Sequence, residues 1–433
     1  MNAGFSKICI TPRSPTRMIG FSERDVSGVF EGVHDDLFAR VAWFDHEGQE
    51  ALVVCCDVAF FSRSQADRFV GAMARTLDLR PRQILLNASH THSGPMLDMG
   101  VWTYSDYLEP EWLYIEQLER SLLEAAESAR DSVRPVTLWA GRTTCPLPVS
   151  RRLPDADGIA RWRPNPHAEV YDEVPVCLAR DEKGEAVAAL FSVACHPSTR
   201  YTHEISADFP GVALELLDTQ LGAAAGLFLQ GAAGETKASV IAKDGAWVSG
   251  SWEQVAQAGA MVADAVAACL ADGLKQVEPD IRSHITQVQL PLEPAPTREA
   301  LSAVADDGDE QEPRRLWAQR QKKRLDRGDA LASHVPLNLH GIQLARGVRL
   351  IGLDCEPVAA LGTQVRDSYG EGVTFTLGYT DGMFGYLPTS HMIEKERGYE
   401  VDSFWEYGLP ARLEPGVEQV LARGLERLRK HGI

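Results

Sequence analysis

No stretch of the 433-residue sequence reaches the roughly 18 consecutive apolar residues that a membrane-crossing helix needs. The opening MNAGFSKICITP lacks the basic patch and apolar core of a secretory leader. Basic charge is scarce: 43 Lys and Arg stand against 61 Asp and Glu, a net charge of −18. The one basic cluster, Arg314–Arg327, follows the acidic stretch Asp306–Glu312. No broad positive surface is therefore expected, which excludes nucleic acid and anionic membranes as main partners. The eight cysteines form no CxxC pair, and several sit in apolar runs such as ALVVCCDVAFF. That dispersal argues against a disulfide framework or a thiolate metal site, and for buried free thiols in a reducing compartment, hence a cytoplasmic protein. Internal repeats are also lacking.

What is present is an ordinary globular mixture, 44% hydrophobic and 24% charged. Strand-like runs at Phe38–Phe44, Ala51–Phe61, Gln83–Ala88, Val136–Ala140, Val174–Arg180, Val187–Ala194, Leu227–Gln230, Val348–Asp354 and Val373–Leu377 are interspersed with helical stripes. Helices are expected at Ser64–Leu77 (capped by Ser62 or Ser64), Glu111–Arg130, from Asp208 through Leu221, at Glu253–Ala271 and at Val417–Leu428. The pattern predicts an α/β (mixed α+β) fold, a mixed sheet core flanked by helices. Leu292–Pro313 reads as the least structured part and Arg314–Arg327 as a solvated helix. Residues 292–330 are read as an insertion in a single domain over 1–433, because residues with chemical potential lie on both sides.

The densest chemical signal is Asn87-Ala88-Ser89-His90-Thr91-His92-Ser93-Gly94-Pro95. Two histidines at i and i+2 share a face of an extended segment, and such imidazole pairs suit a divalent metal, zinc above all. The alternative is a pair of turn histidines bonded to backbone. His196 ends an apolar strand just before Pro197, where a structural histidine is the commoner reading. Glu356 follows the apolar run Val348–Leu353, where a carboxylate is costly unless paired, metal-bound or already in solvent. Two histidines and a glutamate at strand ends match an open catalytic zinc site better than a closed structural one. Phe404-Trp405 and Tyr407 read equally as pocket lining or core.

These residues belong to a larger pattern. Ala3-Gly4-Phe5, Ile10-Thr11-Pro12, Met18-Ile19-Gly20-Phe21, Gly32-Val33-His34-Asp35-Asp36-Leu37-Phe38-Ala39-Arg40 and a strand ending at Asp57 precede HTHSGP. Cys195-His196-Pro197, Ser206-Ala207-Asp208-Phe209-Pro210-Gly211 and Gln230-Gly231-Ala232-Ala233-Gly234 follow it. In order and spacing the chain resembles the catalytic domain of the neutral (non-lysosomal) ceramidase family, with only Asp272–Gly347 poorly matched. The resemblance implies one zinc ion held by His90, His196, Glu356 and a tyrosine. Tyr386, in Tyr386-Leu387-Pro388-Thr389, is favoured, and Tyr379 is the alternative and a substrate contact. It implies that His92 is a transition-state partner and Arg151 an active-site arginine, where an Arg-Arg pair alone reads as a solvated loop. Asp208 is expected to cap its helix or to orient a ligand histidine.

The sequence also departs from that family. Where ceramidases continue Gly-Asp-Val-Ser-Pro, this chain has Gly234-Glu235-Thr236-Lys237-Ala238. Lys237 is read as adding positive charge and selecting a small polar or carboxylate-bearing amide, with solvent exposure as the alternative. A C-terminal β-sandwich domain is expected to be absent. The expectation is thus a zinc-dependent amidohydrolase in which metal-activated water cleaves a linear amide of a small soluble substrate other than ceramide. A hydrolase of an ester, lactone or lactam is the first alternative, and a non-enzymatic metal-binding protein the second. The chain's size is compatible with a homo-oligomer, but no segment identifies an interface.

Overall fold

The central strands are apolar on both faces and so need cover on both sides. The computed structural model, which describes every residue except 26–27, 101–109 and 223–224, shows two sheets packed face to face with helices outside them. The first sheet contains β1 (Asn2–Cys9), β2 (Phe38–His46), β3 (Gln49–Cys56), β4 (Ile84–Ala88), β5 (Arg134–Thr144), β6 (Glu173–Asp181), β7 (Ala186–Val193) and β8 (Gly226–Gln230). Their spatial order is β8-β7-β6-β5-β1-β2-β3-β4, with the short strand Lys275–Val277 beside β5. The second sheet runs β9 (Pro279–Pro291), β10 (His334–Ala345), β11 (Val348–Leu353), β12 (Val373–Leu377). Helices α1 (Arg63–Leu77), α2 (Trp112–Asp131), α3 (Asp208–Leu221) and α4 (Trp252–Ala268) serve the first sheet. An arm of α5 (Arg298–Asp306) and α6 (Glu312–Asp326) follows, then α7 (Ala359–Tyr369) and α8 (Val417–Lys430).

Period-two alternation sorts the side chains into these layers. In β2 and β3, Val41, Trp43, Leu52 and Val54 meet Phe69, Met73, Ile115 and Leu118 of α1 and α2. The intervening Ala42, Phe44, Val53 and Cys55 meet Ile342, Leu350 and Phe375 of the second sheet. On its far side, Leu339, Ile351 and Leu353 pack under Leu361, Val365, Leu421 and Leu425 of α7 and α8. Each fully buried side chain of this kind contributes about 1.5–3 kcal/mol. The expected hairpin at residues 46–48 closes through Glu47 and Gly48, both at positive φ, which matches the twist of the antiparallel strands β2 and β3. Ser62 is the α1 cap, its hydroxyl accepting the Gln65 amide. All eight cysteines are free, and seven are buried.

Among the twelve labelled strands, three neighbouring pairs are parallel: β3–β4, β7–β8 and β11–β12. Each pair is a strand–helix–strand unit, crossing through α1, α3 and α7 respectively. Ligand sites in open α/β sheets lie beyond the carboxyl ends of parallel strands. Here those ends lead into His90, His196, Glu356 and Tyr379. Asn87, buried near the end of β4, ties the units together. Its Oδ1 accepts the Gln230 amide at the end of β8 (2.8 Å), and its Nδ2 donates to Gly378 O (2.8 Å) and Thr380 Oγ1 (3.1 Å) just past β12. Backbone bridges at Asn87–Thr380 and Gly231–Leu377 run along the same seam.

Three expectations change. The segment 292–313 is not without structure: Thr297 accepts the Ala300 amide and starts α5, which packs on α6. Nor is α6 simply solvated. Trp317 Nε1 donates to Leu409 O (2.8 Å) and Gln321 Nε2 to Gly408 O (3.1 Å), so two uncharged side chains anchor a helix whose basic residues hid its inner face. The helix at Trp252–Gly273, α4 with its π-helical continuation, is long and apolar enough by length and composition to cross a membrane, because alanine outweighs its few charges. In this structure its Val255, Ala258 and Val262 are buried, and α4 packs along α3. The long antiparallel pair β9–β10, joined through the α5–α6 arm, is not evident in the sequence because its outer positions, such as Arg282, His284 and Gln287, are polar and break the apolar pattern.

The seam at Asn87 yields a direct expectation. Asn87→Ala strips the buried Gln230 N–H of its acceptor and should lower unfolding stability by about 2–4 kcal/mol. Urea titration should show a shifted midpoint with an unchanged slope. A loss under about 0.5 kcal/mol, the range of a surface substitution, would mean the seam does not join the three units.

Candidate metal centre

The HxH segment does not present its histidines by strand pleating. The chain leaves β4 at Ala88, and His90 adopts the left-handed conformation (φ 66°), uncommon and strained for a residue with a Cβ. It is held there by its amide on Val58 O (2.9 Å) and its Nδ1 on Ala59 O (2.6 Å). The two imidazoles nonetheless meet, Nε2 to Nε2 at 3.2 Å with ring planes at 89°. Gly20 makes room for His92: it sits at φ 127°, and a Cβ there would lie 2.7 Å from the His92 backbone and ring.

A carbonyl can only accept, so the contact to Ala59 O puts the His90 proton on Nδ1 and leaves Nε2 as a lone pair. His196 repeats this, with Nδ1 on Ala233 O (2.7 Å). Its Nε2 is buried and, among the described residues, makes no hydrogen bond. Both Nε2 atoms face Glu356 Oε2, at 3.5 Å from His90 and 3.4 Å from His196. The ligand atoms of His90, His92 and His196 all lie within 4.8 Å of one another. Tyr407 OH donates to Glu356 Oε1 (3.0 Å) and Tyr379 OH to Oε2 (3.3 Å).

Electrostatics favour the same occupant. Burial alone would raise the Glu356 pKa, but His90 and His196 hold it well below the usual carboxylate range. Burial, then Arg151, pushes His196 down to about 3, and burial with its imidazole neighbours pushes His92 well below its ordinary value. Neutral imidazoles beside an ionised carboxylate are the protonation states a divalent cation requires. The residues fit a metal ion: an orphaned buried nitrogen, a second lone pair beside it and a carboxylate oxygen converge, with His90 and His196 fixed from behind.

The two tyrosines divide. Tyr379 stacks on His90 (4.1 Å between centroids, 26°) and bonds the carboxylate oxygen that faces the histidines. Tyr386 pairs through its backbone with Glu356, and its hydroxyl accepts from Arg151 Nη2 (2.9 Å). Arg151 in turn donates from Nε to Glu400 Oε1 (2.8 Å), while Arg152 binds the other Glu400 oxygen and Glu396. The Arg-Arg pair is buried rather than solvated, and only Arg151 reaches Tyr386. Lys237 is buried too, its Nζ on Ser198 Oγ (3.0 Å), with its pKa lowered to about 8 by burial and then by Arg151. Asp208 accepts the Thr199 amide (2.9 Å) and hydroxyl (2.7 Å), tying the start of α3 to the loop that carries His196.

A cavity of about 790 Å³ opens over this group, walled by His90, His92, Glu356 and Tyr386 together with Phe21, Trp162, Trp405 and Tyr407. Trp405 and Tyr407 therefore line it, whereas Phe404 packs on Trp317. Gln311, in the turn between α5 and α6, reaches the wall. Sequence reasoning gave Asn87 no role, and for Tyr407 it left pocket lining and core equally open without a bond to Glu356. Asn87 had a visible signal, a carboxamide inside the apolar strand ILLNA, where a lone polar group is costly unless bonded. The pairing of Tyr407 with Glu356 had none, because the two are distant in the chain.

No protein-family model and no curated protein matches the sequence. Solved structures do match the fold. The neutral ceramidase from Pseudomonas aeruginosa aligns over 99% of this chain and 74% of its own, with a TM-score of 0.73 and 18% identity. A ceramidase solved in complex with C2 aligns over 99% and 75%, with a TM-score of 0.73 and 15% identity. At these identities the likeness is one of architecture, and the chain is built on the mixed α/β fold of neutral ceramidase around a buried histidine cluster able to hold a metal ion.

Proposed function

We propose that the protein is a zinc-dependent hydrolase that cleaves a linear amide in a small soluble molecule. The observation that carries this reading is the convergence of His90 Nε2, the unpartnered His196 Nε2 and Glu356 Oε2 under an open cavity. His90, His196 and Glu356 would hold the ion, whose Lewis acidity would polarise a carbonyl and make water acidic enough to attack near neutral pH. Zinc is favoured because imidazole and carboxylate together form its usual catalytic ligand set. An amide is favoured because the matched structures are ceramidases, which are amidohydrolases.

The chain's own groups have separable tasks. Tyr386 accepts a hydrogen bond from Arg151, and its own proton has no acceptor among the described residues, so on the cavity wall it can donate to a developing oxyanion. Arg151 positions that hydroxyl and, with Glu400 as counter-ion, keeps its charge in a buried site. His92, half-buried on the same wall, is placed to move a proton to the leaving amine. Tyr379 and Tyr407 fix the two oxygens of Glu356, which leaves Oε2 aimed at the histidines.

Wild-type protein purified without chelators should contain one zinc per chain by plasma mass spectrometry, and His196→Ala should lose it along with hydrolysis of the preferred member of an amide, lactam, lactone and ester panel. Wild-type protein that carries no metal and binds none would end the zinc reading. His92→Ala should keep the metal while kcat falls about 10²–10⁴-fold; loss of metal in that variant would make His92 a ligand instead. Tyr386→Phe should keep the metal and lower kcat about 10²–10³-fold, the range for one oxyanion donor. A change confined to KM would assign Tyr386 to ground-state binding.

A further inference from the structure

Four carboxylates line the cavity, Asp25, Glu356, Asp402 and Glu406, and no lysine or arginine does so among the described residues. Three of the four are accounted for. Asp25 pairs with Arg24 (2.8 Å) and takes the Gly20 amide (2.7 Å). Asp402 pairs with Arg397 (2.7 Å) and Arg412 (2.8 Å). Glu356 belongs to the metal centre.

Glu406 has no such partner. Its side chain makes one hydrogen bond, from Tyr399 OH to Oε2 (3.1 Å), and no ion pair among the described residues. The residues outside that set, 26–27, 101–109 and 223–224, include no Lys, Arg or His that could supply one. Burial, with Glu356 adding to it, pushes the Glu406 carboxyl up to about 7, as befits an acid that nothing cationic answers. Aromatic rings surround this part of the wall. Tyr386 lies edge-on to Tyr407 (5.7 Å) and close to Tyr399 (5.6 Å), and Trp405 and Tyr407 flank Glu406 in the chain. The nearby cation Arg151 is buried and already occupied by Glu400, and its guanidinium lies over Trp162 (4.1 Å) and also near the Tyr386 (5.4 Å) and Tyr399 (5.7 Å) rings.

An unanswered carboxylate among tyrosine and tryptophan rings is the chemistry that recognises an ammonium or guanidinium group, through charge and through the ring faces. We infer that the cavity selects substrates bearing a positive charge, seated on Glu406 beside the Tyr407 ring. The word substrate here rests on the hydrolase reading above; the cation site does not. Tyr407, next in the chain, bonds Glu356, so the charge would sit a short distance from the scissile amide. This reverses the sign of selection expected from Lys237, whose Nζ bonds Ser198 and is not part of the cavity wall. A carboxylate-bearing substrate would instead meet like charge.

Calorimetric titration of the protein as purified with phenethylamine and with phenethyl alcohol, buffered above the Glu406 pKa, tests the site without hydrolysis. The amine should bind at least about 10-fold more tightly than the alcohol, as one charge-assisted hydrogen bond allows. Glu406→Gln should abolish that margin. Equal affinities in wild type would overturn the inference. So would a margin that persists in Glu406→Gln, since the amine would then be binding elsewhere, the metal included. In the hydrolysis panel, size-matched cationic, neutral and anionic amides should show a cationic-to-neutral kcat/KM ratio that falls about 10–100-fold in Glu406→Gln. Turnover of neutral amides without cationic preference overturns this inference and leaves the hydrolase reading standing. Absence of metal and of all turnover overturns the hydrolase reading, while the titration still decides Glu406.

Discussion

The carboxamide of Asn87 is the constraint on which the site depends. It joins the ends of β4, β8 and β12, strands from three separate strand–helix–strand units, through one accepted and two donated hydrogen bonds. Each bond fixes a chain segment that goes on to build the centre. Three residues past Asn87 stands His90. Three residues past Gln230 stands Ala233, whose carbonyl sets the His196 tautomer. One residue past Gly378 stands Tyr379, which stacks on His90 and bonds Glu356. Asn87 is buried, so water cannot compete for these bonds, and a lost partner would leave a polar group stranded.

Around that seam the protein maintains a costly arrangement. Three imidazoles and a carboxylate are gathered in the interior, one histidine in a left-handed conformation and another with a bare nitrogen. Such features persist only when surrounding structure over-determines them. Here that role falls to the carbonyls of Ala59 and Ala233 behind the rings, to Tyr379 and Tyr407 on the carboxylate, and to the absence of a side chain at Gly20. A second buried network, Arg152 and Arg151 on Glu400, carries Tyr386 to the cavity wall. Ala233, Tyr379 and the Arg151–Arg152–Glu400 network, none of them part of the cavity wall, thus hold the centre and Tyr386 from behind. Glu406 is the part of the wall left without a counter-charge.

Much of the secondary structure was readable because it follows local rules. The β2–β3 hairpin, the stripes of α1, α2 and α8 and the Ser62 cap all arise from alternation, helical period and capping chemistry within a few residues. The antiparallel pair β9–β10 and the inner face of α6 escaped because their polar outer residues mask the periodicity, and only Trp317 and Gln321, facing distant backbone, reveal which side of α6 is inside. The three-fold use of the strand–helix–strand unit left no repeat in the sequence, since each copy packs against different neighbours and needs only apolar residues of suitable size.

For the site, residue type and local spacing nominated His90, His92, His196 and Glu356 as candidates, each with a structural alternative, and it was the resemblance of the surrounding motifs to the neutral ceramidase family that joined them into one expected centre. What sequence could not supply was convergence. Whether Tyr379 or Tyr386 contacts the carboxylate, which of Arg151 and Arg152 reaches a tyrosine, where Lys237 points and which wall carboxylate lacks a counter-charge all depend on strands far apart in the chain. Those relations are set by sheet pairing and by the Asn87 seam. The chemistry of the ligands was therefore written in the sequence by itself, while their geometry, and the sign of the charge around them, was decided only by the tertiary structure.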